Sequence, residues 1–252
     1  MPKEFEGLTA LVTGSSNGIG AEAAVKFAEG GAAEVLVQYH TAHDEAARVC
    51  ERIRALGARA EMFGADFTSM SGIQKFLSEL GVRRVDILVN NAGSLVKRTP
   101  FLDFTPELWD QVITLNFNSA FHVTRHVLPQ MVERGRGYVI NVSSVAARNG
   151  GGIGAIAYAS SKGGLSTMTK GLAKEFAPKG IRVNGVSPGT IDTNFHKQFS
   201  TAQMLNNVRG ATPAGRLGDS AETADVIVFL CAEGARFIHG QMIEVNGGFL
   251  MV

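Results

Sequence analysis

The sequence predicts an α/β fold, a doubly wound parallel seven-stranded sheet with helices on both faces. Short runs rich in Val, Ile and Leu alternate with segments of helical spacing along the whole chain. A glycine-rich turn joins the first run to the first helical segment, and no Pro/Ser-rich linker, repeat or low-complexity tract divides the pattern. Strands covered on both faces read as continuous apolar runs, and helices between them imply right-handed crossovers and hence parallel neighbours.

Taken in order, residues 8–13 form a first strand, 21–29 a helix and 34–39 (EVLVQY) a second strand, so the chain opens as β-α-β. A helix over 42–56, a strand over 58–64, a helix over 70–80 and a strand over 86–90 (DILVN) continue the alternation. A long helix is predicted over 106–134, a strand over 137–142, a helix over 155–177, a strand over 181–186 and a last strand over 241–245. Residues 1–252 are read as one domain. Between 190 and 218, polar residues, Phe195, Phe199 and a Pro213-Ala214-Gly215 turn interrupt the alternation, and this segment is expected to be a lid over a site.

Composition narrows the function. The chain has 252 residues, 45% hydrophobic and 19% charged, enough for one substantial core. A formal net charge of +1 with no dense basic block argues against a nucleic-acid partner. The first residues carry Glu4 and Glu6 where a signal peptide needs bases before an apolar run, and no segment holds 18 uncharged apolar residues, so a cytoplasmic protein without a membrane partner is expected. Cys50 and Cys231 stand alone and read as buried apolar fillers. His122 and His126 have i, i+4 spacing, but Arg125 lies between them and the glutamate of a zinc helix is missing, so no metal is expected.

The turn after the first strand reads Thr13-Gly14-Ser15-Ser16-Asn17-Gly18-Ile19-Gly20, at the carboxyl end of a strand and the start of a helix. Glycines there permit close approach of a diphosphate, which the free N–H groups and dipole of the helix favour. A tight strand-to-helix turn without a ligand is the plainer reading, and the β-α-β context favours the nucleotide. At the end of the second strand stand Gln38-Tyr39-His40-Thr41, with no carboxylate to bind a ribose 2′-hydroxyl or repel a 2′-phosphate. No Arg or Lys stands there either, nor before Gly18, where Asn17 lies. NADP(H) is favoured and NAD(H) remains possible. Asp66, followed by Phe67, reads equally as an acceptor for an adenine amino group or as a helix cap.

Further motifs agree in order and spacing: Asn90-Asn91-Ala92-Gly93 after the fourth strand, Asn116 within the long helix, Ser144 after the fifth strand, Tyr158-xxx-Lys162, and Pro188-Gly189 after the sixth. Along essentially the whole chain these residues resemble the short-chain dehydrogenase/reductase family in its single-domain form, with its Rossmann-type fold. The resemblance implies an enzyme moving hydride between a nicotinamide and a carbonyl or alcohol. Tyr158 and Lys162, four residues apart on one helix face, would be the proton donor and its partner, the ammonium lowering the phenol's pKa. Lys162 would also bind the nicotinamide ribose, and Ser144, with Ser143 as near alternative, would hydrogen-bond the substrate oxygen. Asn116 resembles the family member that holds a relay water.

The Asn90–Gly93 stretch reads first as scaffold tying strands together, with Gly93 admitting the cofactor closely. In the segment Pro188-Gly189-Thr190-Ile191-Asp192-Thr193, the resemblance places the Ile191 backbone near the carboxamide and Thr193 near the diphosphate. Taken singly, Tyr158, Lys162, Ser144 and Asn116 would read as an amphipathic aromatic, a solvated charge, a turn residue and a buried amide; together they favour catalysis.

For the substrate, Arg148 in the loop after Ser144 offers a pairing site for a carboxylate or phosphate, although an exposed loop arginine is commonly just solvated. Phe195, Phe199 and Met204 in the lid suit moderately apolar carbonyls. The resemblance is to 3-oxoacyl-(acyl carrier protein) reductase-like members, which implies an NADPH-dependent ketone reductase. A sugar, polyol or hydroxy-acid dehydrogenase using NAD is the alternative, and a non-catalytic nucleotide-binding regulator the alternative of another class. Helices 106–134 and 155–177 and the segment 240–248 match the family's usual subunit contacts, so the resemblance implies a homotetramer, which the apolar Phe249-Leu250-Met251-Val252 fits. His239 takes no function.

Overall fold

The computed structural model describes residues 3–252, whose strands form a seven-stranded sheet in the order β3-β2-β1-β4-β5-β6-β7. The strands are β1 (Thr9–Val12), β2 (Glu34–Tyr39), β3 (Arg59–Gly64), β4 (Ile87–Asn90), β5 (Gly137–Val142), β6 (Ile181–Pro188) and β7 (Met242–Val245), every neighbouring pair parallel. Helices α1 (Gly18–Glu29), α2 (His43–Ala55) and α3 (Met70–Leu80) lie between the first strands as expected.

Strand alternation explains how helices cover both faces. Ala10, Val12, Val35, Val37, Ile87 and Val89 face one core with Phe27 of α1 and Ile53 of α2, and Cys50 is buried among them. Leu11, Leu36 and Leu88, one residue out of step, face the other core with Ile73 and Phe76 of α3. Each fully buried Leu or Ile contributes about 1.5–3 kcal/mol relative to exposure, so slipping any one strand by a residue would expose its whole apolar set.

The predicted 106–134 helix is not uniform. It comprises α4 (Pro106–Ile113), a π-helical turn (Thr114–Asn118) and α5 (Ser119–Glu133). Asn116 sits in the widened turn, and its Nδ2 donates to the Val112 carbonyl at 2.8 Å. A π turn re-aims side chains that a regular helix would direct elsewhere. Helix α6 (Ala146–Asn149) is short, and α7 (Ile156–Phe176) follows the expected range.

The interrupted segment holds two short helices, α8 (Asn194–Phe199) and α9 (Ala202–Ala211). Beyond it, α10 (Ser220–Cys231) was not anticipated from the sequence. Its start is a capping box: Asp219 and Glu222 satisfy each other's main-chain N–H groups. Ala224, Ile227 and Leu230 of α10 complete the first core against α1, and Cys231 is buried beside them. No helix among the described residues is long and apolar enough to cross a membrane.

Candidate active site

A cleft of about 620 Å³ opens at the carboxyl ends of the strands, across the point where the strand order reverses between β1 and β4. Chains leaving β1 and β4 there diverge to opposite faces, which leaves a crevice for a ligand. It runs from Asp66 and Phe67, past the glycine-rich turn, to Tyr158 and Lys162.

The turn is held from below. Thr13 Oγ1 accepts the N–H groups of Asn91 and Ala92, both at 3.0 Å, and Asn91 Nδ2 donates to the carbonyls of Thr13 and Gly14, both at 2.9 Å. Asn90 Nδ2 reaches Thr124 and Asn141 across the sheet, at 2.9 and 2.8 Å. The Asn pair therefore ties strands together, as its sequence suggested. Gly14 has φ +62°, and a Cβ there would lie 2.8 Å from Ala92 Cα. The start of α1 has no side-chain cap, since Asn17 makes no capping bond, so the first N–H groups of the helix are available to an anion. Ser16, Asn17, Gly18 and Ile19 line the cleft over this helix end, and Thr193 packs 3.3 Å from where a Gly18 Cβ would be.

At the far end, Gln38 is buried and committed: Oε1 accepts from Gly14 N at 2.9 Å, and Nε2 donates to the carbonyls of Tyr39 and Ala65. His40 Nε2 lies 3.7 Å from Asp66 Oδ1, both lining the cleft. Asp66 accepts from the N–H and hydroxyl of Thr68, while α3 is capped by Ser69, so the capping alternative for Asp66 does not hold. Burial opposes ionisation of Asp66, but the Thr68 bonds and His40 together leave its carboxyl below the usual range.

Three expected cofactor contacts stand off the cleft. Tyr39 turns toward α2, its ring centre 5.7 Å from that of His43 and its hydroxyl against Gly64. Thr41 lies beyond it, outside the cleft wall. Gly20 faces inward, where a Cβ would collide with Asn91 Nδ2 and the Gly14 carbonyl, so its smallness serves packing.

Tyr158 and Lys162 project from one face of α7, with Lys162 Nζ 5.6 Å from the Tyr158 ring centre. The ammonium donates to the Val142 carbonyl at 2.8 Å, fixing it to the end of β5. Ser144 stands beside the phenol in the cleft lining, whereas Ser143 turns away to Ser166 and the Lys162 carbonyl. The hydroxyl beside Tyr158 is therefore that of Ser144. Asn116 lies behind this group rather than in the cleft wall: its Oδ1 accepts from Ser94 N at 3.1 Å and its Nδ2 donates to Ser94 O at 2.8 Å. Between them, a Cβ on Gly93 would lie 2.6 Å from Asn116 Oδ1 and 3.0 Å from Lys162 Nζ.

Electrostatics correct one expectation. The ammonium was expected to lower the phenol's pKa, but burial pushes Tyr158 up to about 12, opposed only by the bond to Ser144. Burial lowers Lys162 to about 8.

Pro188, Gly189 and Ile191 line the same wall, the last with its side chain buried and its backbone bridged to Gly218. Arg148 does not point a free charge at a substrate: its Nε pairs with Glu244 of β7 at 3.2 Å. From the 190–218 segment, Phe195 lies over Tyr158 with ring centres 5.7 Å apart, and Phe199 backs Phe195 at 5.1 Å. Met204 also lines the cleft. Leu95, Arg98 and His196 face it too and were not anticipated. Arg98 follows the Asn90–Gly93 stretch by five residues in an irregular loop, where no periodicity indicates direction; only its place after that stretch could have suggested it.

Residues 14–250 match the family model described as Enoyl-(Acyl carrier protein) reductase. The chain is 36% identical to 3-oxoacyl-[acyl-carrier-protein] reductase of Aquifex aeolicus over 251 residues, 98% of this chain and 99% of that protein. Its structure is similar to that of a 3-oxoacyl-[acyl-carrier protein] reductase with bound NAD from Brucella melitensis (TM-score 0.89, 32% identity, covering 100% of this chain and 94% of that one). It is also similar to a gluconate 5-dehydrogenase from Burkholderia cenocepacia in complex with NADP and tartrate (TM-score 0.87, 32% identity, 98% and 96% covered).

Proposed function

Because the chain belongs to the short-chain dehydrogenase/reductase family, and so is an NAD(P)-dependent oxidoreductase of C=O and CH–OH groups, we propose that it works as an NADPH-dependent ketone reductase of the 3-oxoacyl-(acyl carrier protein) reductase type. The observation that carries this reading is the placement of Tyr158 and Lys162 on one face of α7, lining the cleft beside Ser144, in a chain 36% identical along its length to a 3-oxoacyl-[acyl-carrier-protein] reductase. The half-buried Tyr158 phenol is neutral at physiological pH and so is ready to donate to a carbonyl oxygen.

The nicotinamide, when bound, supplies the hydride. Gly14 to Ile19, the start of α1 and Thr193 would hold the diphosphate, His40, Asp66 and Phe67 would border the adenosine, and Ala92, Gly93, Pro188, Gly189 and Ile191 would border the nicotinamide half. Ser144 orients the substrate oxygen, and Tyr158 protonates it as negative charge develops there. Lys162 holds a positive charge beside the phenol ring and would bind the nicotinamide ribose. The Asn116 side chain uses both amide hydrogens on Ser94 and Val112. What it offers a proton relay is therefore an acceptor, along with the position of the loop at Ser94.

Preference for NADP(H) is supported by the end of β2, where Gln38 is internal and the side chain presented to the cleft is His40, not a carboxylate. Residues 190–218 act as the substrate lid of a single catalytic domain spanning 1–252, with Phe195 on Tyr158 as its inner surface. A homotetramer is supported by Phe121 of α5 and Ile156 of α7, 45% and 41% exposed on the helices assigned to subunit contact. Sedimentation as a monomer at working concentration would remove that part. The test of the reading is comparison of NADPH with NADH oxidation across β-ketoacyl thioesters, diketones, keto sugars and keto acids.

A second reading, a sugar, polyol or hydroxy-acid dehydrogenase, is favoured by the similarity to gluconate 5-dehydrogenase at TM-score 0.87. Faster oxidation of gluconate with NAD than reduction of any ketone with NADPH would select it. Cofactor binding without turnover in either direction would select a regulator.

A further inference from the structure

We propose that Arg98 is the anchor for an oxyanion carried by the substrate, so that the enzyme acts on oxo or hydroxy compounds bearing a carboxylate or phosphate in preference to neutral ones; this rests on the oxidoreductase reading above. Arg98 is half-buried in the cleft wall and lies in the loop that follows Gly93. Its Nε donates to the Phe199 carbonyl at 3.1 Å, and its Nη1 donates to the Ile153 carbonyl at 2.7 Å. Those two carbonyls belong to the lid and to the loop after α6. They place the guanidinium at the substrate end, because Phe199 packs on Phe195 and Phe195 on Tyr158.

The charge is not neutralised there. Among the described residues, no carboxylate lies within 4 Å of Arg98, whereas the loop arginine Arg148 is paired with Glu244. Asp66 is the sole carboxylate among the described residues that line the cleft, and it stands at the opposite end beside His40. The field of Arg98 reaches His196, which burial first and then Arg98 hold below the usual imidazole range. A guanidinium has five N–H donors in a planar fork. Main-chain carbonyls occupy two of them, and Nη2 meets no acceptor among the described residues. The fork is thus fixed in direction by the protein and keeps donors for an oxyanion, the arrangement suited to carboxylate or phosphate recognition.

Gly152 and Gly154 leave room for it. A Cβ at Gly154 would lie 2.8 Å from the Arg98 side chain, and one at Gly152 3.6 Å from Nη1. A structural clamp alone would hold lid and loop together, but it would not discriminate between substrates by charge.

The test uses matched pairs with the cofactor-loaded enzyme: gluconate against sorbitol for a carboxylate, and acetoacetyl-CoA against ethyl acetoacetate for a phosphate-bearing arm. In the wild type the charged member of at least one pair is preferred, and which pair responds identifies the source of the oxyanion. In Arg98→Gln that preference falls roughly 10- to 100-fold, the range for a charge-assisted hydrogen bond. The loss lies in KM and is larger for the charged member than for the neutral one, and Arg98→Lys falls between. Equal loss on both members would make Arg98 a clamp only and overturn the proposal, as would a wild type indifferent to charge. Titration calorimetry of gluconate and of phosphopantetheine into the NADP-loaded protein gives a readout without turnover, and absence of binding by both overturns it as well. Failure to bind NADPH or NADH would instead overturn the oxidoreductase reading itself.

Discussion

Tyr158 and Lys162 stand one turn apart on α7 with the ammonium 5.6 Å from the phenol ring centre, and burial moves their proton affinities in opposite directions. The phenol rises to about 12 and the ammonium falls to about 8. Below pH 8 the pair is therefore neutral acid beside cation, the combination that favours carbonyl reduction.

That pairing sets the pH profile. A lysine with a lowered pKa is charged below that value and neutral above it, so the kcat/KM for ketone reduction should hold level up to about 8 and fall beyond it. Lys162→Met should lower the rate and remove the descending limb. Stopped-flow NADPH oxidation across the range checks this, and a wild-type profile level to well above pH 8 would contradict it.

Replacing Asn116 by Ala should cost stability as well as rate. The buried amide satisfies the N–H and C=O of Ser94 and the carbonyl of Val112, and removing it strands groups worth about 1–3 kcal/mol each if they stay buried. Urea unfolding should show a lower midpoint with an unchanged slope, and kcat should fall because the loop at Ser94 is released.

Gly93→Ala tests the closeness of the site. Its Cβ would press on Asn116 Oδ1 at 2.6 Å and Lys162 Nζ at 3.0 Å, so both must move. A shift on the order of 1 Å in catalytic geometry can cost about 100-fold. Single-turnover reduction should slow accordingly while the fold, followed by circular dichroism, is kept.

Phe195→Ala should admit water to Tyr158, because the two ring centres are only 5.7 Å apart. Desolvation is the chief cause of the raised phenol, so its titration should move down from about 12, and alcohol oxidation should begin at lower pH. Ultraviolet pH titration against Tyr158→Phe reads that shift directly.

The sheet was legible because its apolar runs are uninterrupted: Leu11, Leu36 and Leu88 each announce a strand buried on both faces. The group at Ser144, Tyr158 and Lys162 was legible through spacing on a helix and past a strand end. Asn116 was found, but the π turn that aims it was not, since nothing in Thr114-Leu115-Asn116-Phe117-Asn118 distinguishes a wide turn from a regular one. Helix α10 was missed although Asp219 and Glu222 carry the spacing of a capping box, because the irregular segment before it masked the return of periodicity. Tyr39 was misplaced because an end-of-strand residue can turn to either side, and here the ring of His43 and the space over Gly64 take it. The partner of Arg148 was not legible, since nothing in the sequence signals that Glu244, far along the chain, would reach it.

On the proposed reading, Tyr158 gives its proton to a ketone reduced with NADPH. The most direct measurement follows NADPH and NADH oxidation separately with β-ketoacyl thioesters, diketones, keto sugars and keto acids, in the wild type and in Tyr158→Phe. The expected result is NADPH-linked reduction that falls by roughly 10²- to 10⁴-fold in the variant while NADPH still binds. Comparable turnover in the variant, or cofactor binding by the wild type with no turnover of any substrate in either direction, would contradict it.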